Sequence, residues 1–380
     1  MNFVARLVRK GRREFARSVF RSQQLKTWTE KFFLTRFFVQ IQAREAFDLM
    51  AGFVYSQVLL ICIRLEVLKF LADGPKQIVE LSDFLDLSKD RFDCLIGSAC
   101  ALGLLEEDGL GNIDLGIKGQ IFAYDLGLCA LIKHHELFYG DLVDPVGLFK
   151  DEGYETSLNR YWGYAKQQGN SNKVLQEEKK LNAKKYSDLM SLSQPLVTEQ
   201  IFQSFNFDKY SSVLDVGGGK GTFAIRLAEV FKGEKIASLD LPDVCIEANK
   251  SISRAGVEGK VTAIPLDFFK DPVPVGYELI TLIRVLYDHP TEDVLRLLVN
   301  VRKALPKNGA VLIAEPMETN KITNKAKSDA YFWLYLAAMG KGRPRTSSEL
   351  ESLLLKAGFS RSRCLKTTLP IQTGIVVGNV

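Results

Sequence analysis

Three aspartates, four glycines and one histidine carry the chemistry that this sequence suggests. Gly217, Gly218, Gly219 and Gly221 crowd into five positions of "VLDVGGGKGTF", directly after an apolar run. Glycine admits positive φ angles and lets ligand atoms reach the main chain, so glycines spaced this way between a strand and a helix predict a nucleotide-type pocket. Gly219, Gly221 and Ala224 also satisfy the G-x-G-x-x-A pattern of dinucleotide sites. The carboxylates decide against that ligand. Asp215, two residues before the first glycine, would repel a pyrophosphate and attract an ammonium. Asp240 in "SLDLP" can hold two ribose hydroxyls. Asp267 in "PLDFF" can accept from an exocyclic amine while Phe268 packs on the ring face. A positive centre, a ribose and an adenine without phosphate describe S-adenosylmethionine (SAM).

Such residues need a scaffold that gathers strand ends. From Ser211 the runs "SSVLDV", "KIASLD", "KVTAIP", "ELITLI" and "AVLIAE" alternate with helical stretches, and "SRCLKTTL" with "TGIVVGNV" reads as a closing hairpin. The pattern predicts an α/β fold: a Rossmann-like, doubly wound, seven-stranded sheet with an antiparallel edge. Ligands of such sheets bind beyond the carboxyl ends of the central strands. The glycines, Asp240 and Asp267 fall there, as do Tyr287 and His289 after "ELITLI".

The 380 residues suit more than one domain. We expect a basic amphipathic arm over 1–44, a helical dimerisation and substrate-contact domain over 45–205, and the SAM-binding domain over 206–380. The arm holds eleven Lys/Arg against Glu14 and Glu30, so it carries +9 and leaves −4 for the rest of a chain whose net charge is +5. Phe3, Leu7, Phe15 and Val19 oppose the charges, a pattern that suits either an anionic membrane surface or packing on the protein or a second subunit. An Arg-rich transit peptide is a third reading. Leu49–Ile63, the longest uncharged apolar stretch, is shorter than the roughly 20 residues that span a bilayer, so peripheral contact at the inner face of the cytoplasmic membrane is the most that is expected.

Six scattered cysteines without metal-ligand spacing predict reduced thiols in a cytoplasmic protein and no metal site. Residues 74–119 have the order of a winged helix-turn-helix. Its second helix, Ser88–Leu102, cancels Lys89 and Arg91 with Asp90 and Asp93 and then runs apolar, so it suits burial, and no nucleic-acid partner is expected. The polar stretch Ala165–Asn182 reads as a surface loop.

The glycine loop, "DLP", "LDFF", "RVLYDHP" and "LIAEP" occur in the order found in class I SAM-dependent O-methyltransferases of the plant phenolic and bacterial pigment type, and the chain resembles that family over about residues 45–375. "DLMAGFVYSQVLL", "HHELFYGDLVDP" and "DAYFWLYLAAMGKGRPRT" resemble the group within it that methylates carotenoid hydroxyls in purple bacteria. The resemblance implies a homodimer and methylation of the tertiary C-1 hydroxyl of a linear carotenoid. It implies Gly217 and Gly219 at the cofactor's main-chain contact, Asp240 at the ribose, and Asp267 with Phe268 at the adenine. It also implies Glu315 as the glutamate that orients a catalytic histidine; beside a tyrosine, Glu315 can instead accept that phenol's proton.

The chain departs from the family at that histidine: Tyr287 takes its place, His289 follows two residues on, and Pro344 stands where a second glutamate is expected. His289 as base, Tyr287 as donor or relay, and the adjacent His134 and His135 are the alternatives. Imidazole, with an ordinary pKa of about 6.5, matches neutral pH better than a phenol near 10. Tyr331, Phe332, Trp333, Tyr335 and Met339 either line an apolar acceptor channel or pack the core. The competing functions are methylation of a chlorophyll-type pigment or polyketide phenol, and a SAM-fold binding protein without catalysis.

Overall fold

The computed structural model describes residues 33–150, 154–161, 173–320, 326–369 and 373–380, together with Glu14, Arg17 and Arg21. Most of the basic arm expected over 1–44, and residues 165–172 of the polar stretch, lie outside the described residues. The chain divides into two units between Tyr124 and Asp125.

The first unit begins with α1 (Phe33–Arg64), whose Phe47, Leu49, Met50 and Phe53 are exposed. Over Val39–Arg64 this helix is long and apolar enough to cross a membrane by length and composition, beyond the shorter uncharged run read from the sequence. After α2 (Val67–Phe70) come β1 (Lys76–Gln77), α3 (Ile78–Leu85), α4 (Lys89–Ala101), β2 (Leu105–Glu107), β3 (Asn112–Leu115) and α5 (Ile117–Tyr124). The strands form an antiparallel sheet in the order β1-β3-β2. Helix α4 buries Phe92, Leu95, Ile96 and Ala99, one face at helical spacing, as its apolar half predicts. Asp108 Oδ1 closes the β2–β3 turn by accepting from the N–H groups of Leu110 (2.7 Å) and Asn112 (3.1 Å).

The second unit opens with α6 (Leu126–Asp141), α7 (Pro145–Lys150), α8 (Ser157–Tyr161) and α9 (Lys173–Ser204). These helices, grouped by the sequence reading with the amino-terminal region, cluster with the sheet. Residues 173–182 belong to α9 rather than to a loop. Their Lys, Leu, Gln and Glu are straight-chain helix formers, and polarity alone had concealed that propensity.

There follow β4 (Ser212–Val216), α10 (Thr222–Val230), β5 (Lys235–Asp240), α11 (Pro242–Arg254), β6 (Val261–Pro265), β7 (Leu279–Ile283), α12 (Thr291–Ala304) and β8 (Ala310–Glu315). Helices α13 (Lys327–Met339) and α14 (Ser347–Lys356) and strands β9 (Arg361–Leu365) and β10 (Gly374–Asn379) complete the unit. The seven strands run β6-β5-β4-β7-β8-β10-β9, with β10 antiparallel to both its neighbours. This is the expected doubly wound sheet with its antiparallel edge. Leu214, Val216, Ile280 and Leu282 pack into one face, and Val213, Leu279, Ala310 and Leu312 into the other, following the two-residue period of strands. Chain order reverses between β4 and β7, which opens a crevice beyond their carboxyl ends.

Candidate active site

The β4 strand feeds directly into the glycine loop at that crevice. Gly217, Gly219 and Gly221 have φ of 73°, 57° and 76°, left-handed values that a side chain would strain. A Cβ on Gly218 would lie 2.2 Å from Ser238 Oγ and 2.7 Å from Asp215 Oδ2, so the loop is pressed onto its neighbours. Gly219 differs, because nothing lies within 4 Å of where its Cβ would stand. It borders a cleft of about 830 Å³, whose lining also includes Asp215, Gly217, Asp240, Asp267 and Phe268. All six residues assigned to the cofactor from the sequence therefore converge.

Their electrostatics suit a cation and a set of hydroxyl donors. Thr281 Oγ1 donates to the buried Asp215 Oδ1 at 2.6 Å, yet burial, with the Asp240 charge nearby, pushes the Asp215 carboxyl up to about 7. Asp240 Oδ2 accepts from the Gly219 N–H (2.8 Å) and Oδ1 from the Leu241 N–H (2.7 Å), and burial raises this carboxyl to about 6. Those bonds fix the carboxylate plane and leave each oxygen a lone pair for a ribose hydroxyl. Asp267 accepts from the Phe269 N–H at 3.1 Å and pairs with Lys270 at 2.9 Å, while Phe268 is buried beside it.

If Asp215 receives a cation, it must first lose its proton. SAM affinity is therefore expected to fall about tenfold between pH 7.5 and pH 5.5. Calorimetry at the two pH values checks this; equal affinities, or tighter binding in acid, would contradict the assignment of Asp215.

The other end of the cleft is built by the 3₁₀ turn Leu286–Asp288 that follows β7. Arg284, at φ 55°, is a non-glycine residue held in the left-handed region. Its guanidinium donates to Ser193 Oγ (2.8 Å) and the Met190 carbonyl (2.7 Å), tying the end of β7 to α9. Asp288 and His289 line the cleft. The His289 ring meets Phe269 edge-on at 4.6 Å, and burial lowers its pKa to about 4, so it is neutral at pH 7.

Two assignments from the sequence take different places. Tyr287 is absent from the cleft lining; its side chain packs in an apolar cluster with Phe138, Leu158, Tyr335 and Met339. Glu315 orients no imidazole and takes no proton from the Tyr287 phenol. Its Oε2 accepts from the backbone N–H groups of Leu286 and Tyr287, both at 3.0 Å, and its Oε1 has no hydrogen-bond partner among the described residues. Complete burial raises Glu315 to about 7. The other histidines link α6 to α13, His134 Nε2 lying 2.9 Å from Tyr335 Oη and His135 Nε2 2.7 Å from Tyr331 Oη. Of the expected channel residues, Tyr335 and Met339 are buried in the cluster, whereas Tyr331 and Trp333 are partly exposed.

Sequence reasoning missed Arg284, Asp288, Met190, Gln194 and Lys341, all of which line the cleft. Arg284 and Asp288 lie inside "RVLYDHP", so their place at a strand end was a usable signal. The α9 residues and Lys341 come from distant parts of the chain and carried none.

Residues 139–360, more than half of the chain, match the family model of the O-methyltransferase domain. The chain belongs to the SAM-dependent O-methyltransferases. This O-methyltransferase is 36% identical over 335 residues to the demethylspheroidene O-methyltransferase of Cereibacter sphaeroides, a match covering 88% of this chain and 86% of that protein. It is 34% identical over 370 residues to the demethylspheroidene O-methyltransferase of Rhodobacter capsulatus, covering 97% and 90% of the two chains. Its fold matches human N-acetylserotonin methyltransferase, solved in complex with SAM, with a TM-score of 0.71 at 22% identity over 89% of this chain and 97% of that one. The donor set fits SAM, which supplies a methyl group on a sulfonium centre. Among the described residues no group of His, Cys, Asp and Glu is arranged to hold a metal.

Proposed function

We propose that this O-methyltransferase methylates the tertiary C-1 hydroxyl of a linear carotenoid. The observation that carries the reading is the similarity, over most of the chain, to two demethylspheroidene O-methyltransferases. In this reading Asp215 holds the ammonium of SAM and Arg284 its carboxylate. Gly217 and Gly219 offer their main chain, Asp240 takes the ribose, and Asp267 with Phe268 takes the adenine.

On the acceptor side His289 is the base. A tertiary alcohol is too weak an acid to be ionised first, so the cleft contributes mainly by aligning the acceptor oxygen with the methyl group. As the O–CH₃ bond forms, the S–CH₃ bond breaks with its electron pair left on a neutral thioether sulfur, and the acceptor oxygen becomes a protonated ether, a far stronger acid than any imidazolium. His289, neutral because burial holds it at about 4, can take that proton throughout the neutral range. Tyr287 and Glu315 act by shaping the turn that carries it.

Incubation with methyl-labelled SAM and three acceptors tests the substrate: a linear 1-hydroxy carotenoid, a polyketide phenol and a chlorophyll-type pigment. The carotenoid is expected to take label at least about tenfold faster than the others. Preferential labelling of the phenol or the pigment would overturn the assignment. The exposed apolar residues of α1 and the charge of the arm further support a homodimer that rests on the inner face of the cytoplasmic membrane. A monomeric mass in sedimentation, or unchanged vesicle binding after deletion of residues 1–32, would remove these two parts of the reading respectively.

A further inference from the structure

We infer that Arg345 is a positioning residue for the acceptor side of the cleft, holding in place the turn that presents Asp288 and His289. Arg345 is completely buried and is not part of the cleft lining. Its Nη1 donates to the Leu286 carbonyl at 2.8 Å, and its Nη2 to the His289 carbonyl at 2.7 Å and to Thr291 Oγ1 at 3.3 Å. Glu315 meets the same turn through the N–H groups of Leu286 and Tyr287. One guanidinium and one carboxylate thus hold four main-chain groups between Leu286 and His289. A short 3₁₀ turn at a strand end has few backbone partners of its own, and side chains supply them here.

The segment that carries Arg345 is fitted to the turn along its length. Gly342 has φ 77°, and a Cβ there would lie 2.1 Å from the Tyr287 carbonyl oxygen and 2.5 Å from the Asp288 carbonyl carbon. Lys341, one residue earlier, lines the cleft itself. The far end is tied down where the chain leaves β8, because the Glu318 N–H donates to the Arg345 carbonyl at 3.0 Å. Pro344 leaves no carboxylate where a second glutamate was expected, and its neighbour holds the turn through carbonyl oxygens instead. Burying a guanidinium is costly unless its geometry is satisfied, and Arg345 Nε has no partner among the described residues. The charge is retained at a place where the position of a turn decides the reaction. Arg345 acts on the acceptor step through His289, whereas the residues assigned to SAM lie on β4, the glycine loop, β5 and the loop after β6, except Arg284 just after β7, which is held separately by its bonds to Ser193 and Met190 of α9.

The inference rests on the family and on the proposed role of His289 as the base, and not on the identity of the acceptor. The full-length Arg345→Lys and Gly342→Ala variants test it, the first removing the planar fork and the second forcing the segment off the turn. The chain has three histidines, so ¹³C-histidine labelling gives three ring signals, and the one lost in His289→Gln belongs to His289. Both variants are expected to shift or broaden that signal while those of His134 and His135 stay in place. SAM affinity should hold within about threefold, and kcat on a detergent-dispersed 1-hydroxy carotenoid should fall at least about thirtyfold. A merely structural role would lower the melting temperature and leave kcat per SAM-binding site intact. The inference fails if the His289 signal is unmoved in folded protein, or if all three signals move together. Should Arg345→Lys not fold, Gly342→Ala alone decides. If the wild-type enzyme leaves that carotenoid unmethylated, the acceptor assignment falls and the histidine spectrum still judges Arg345.

Discussion

Replacing Asp240 with alanine is expected to weaken SAM binding at least about 100-fold. Two losses combine in this variant. The ribose loses hydrogen bonds to a carboxylate, which are worth about 1.5–3 kcal/mol each when one partner is charged. The glycine loop also loses its brace, since Asp240 accepts from the N–H groups of both Gly219 and Leu241. Asp240→Asn should fall between the two, because its amide nitrogen cannot accept from a loop N–H or a ribose hydroxyl. NADH should bind neither protein detectably, the buried carboxylates at the loop being hostile to a pyrophosphate. Calorimetry that found SAM affinity unchanged in Asp240→Ala would remove the ribose assignment.

The second large effect concerns the proton. His289→Ala should lower kcat about 100-fold with SAM affinity nearly unchanged, since the imidazole serves a step and not the cofactor. Tyr287→Phe should cost less than about threefold, because the phenol belongs to an apolar cluster instead of the cleft. The pH profile adds an independent check. His289 is held at about 4, so it is already deprotonated at pH 6, and wild-type kcat at saturating SAM should stay flat from pH 6 to 9. If kcat instead climbs steadily toward pH 9, as ionisation of a phenol near 10 would make it, or if Tyr287→Phe proves the more damaging variant, the proton leaves through the tyrosine.

The residues proposed for the cofactor could be picked out in the sequence, and expected to meet in one cleft, because each lies in a short local run. Four glycines and three acidic strand ends are encoded within short runs, and a doubly wound sheet brings strand ends to one crevice. The acceptor half depends on tertiary packing. Nothing near Tyr287 in the sequence says that its ring turns away from the cleft, or that Glu315 serves backbone N–H groups and not a side chain. The buried Arg345 looked like one charge in a basic, glycine-containing segment, and its value comes from carbonyls about 56 residues away. The start of α9 differs from the loop expected there for a related reason, since a polar helix and a polar loop have similar compositions and differ in propensity.

The acceptor assignment is tested most directly by locating the transferred methyl group. The enzyme is supplied with SAM carrying a CD₃ group and with a linear carotenoid bearing a tertiary C-1 hydroxyl, and the product is analysed by mass spectrometry and carbon NMR. Under this assignment one CD₃ per molecule is expected, bound to the C-1 oxygen, in wild-type enzyme and about 100-fold more slowly in His289→Ala. A folded, SAM-binding enzyme that leaves this hydroxyl free while methylating a phenol in the same mixture would contradict it.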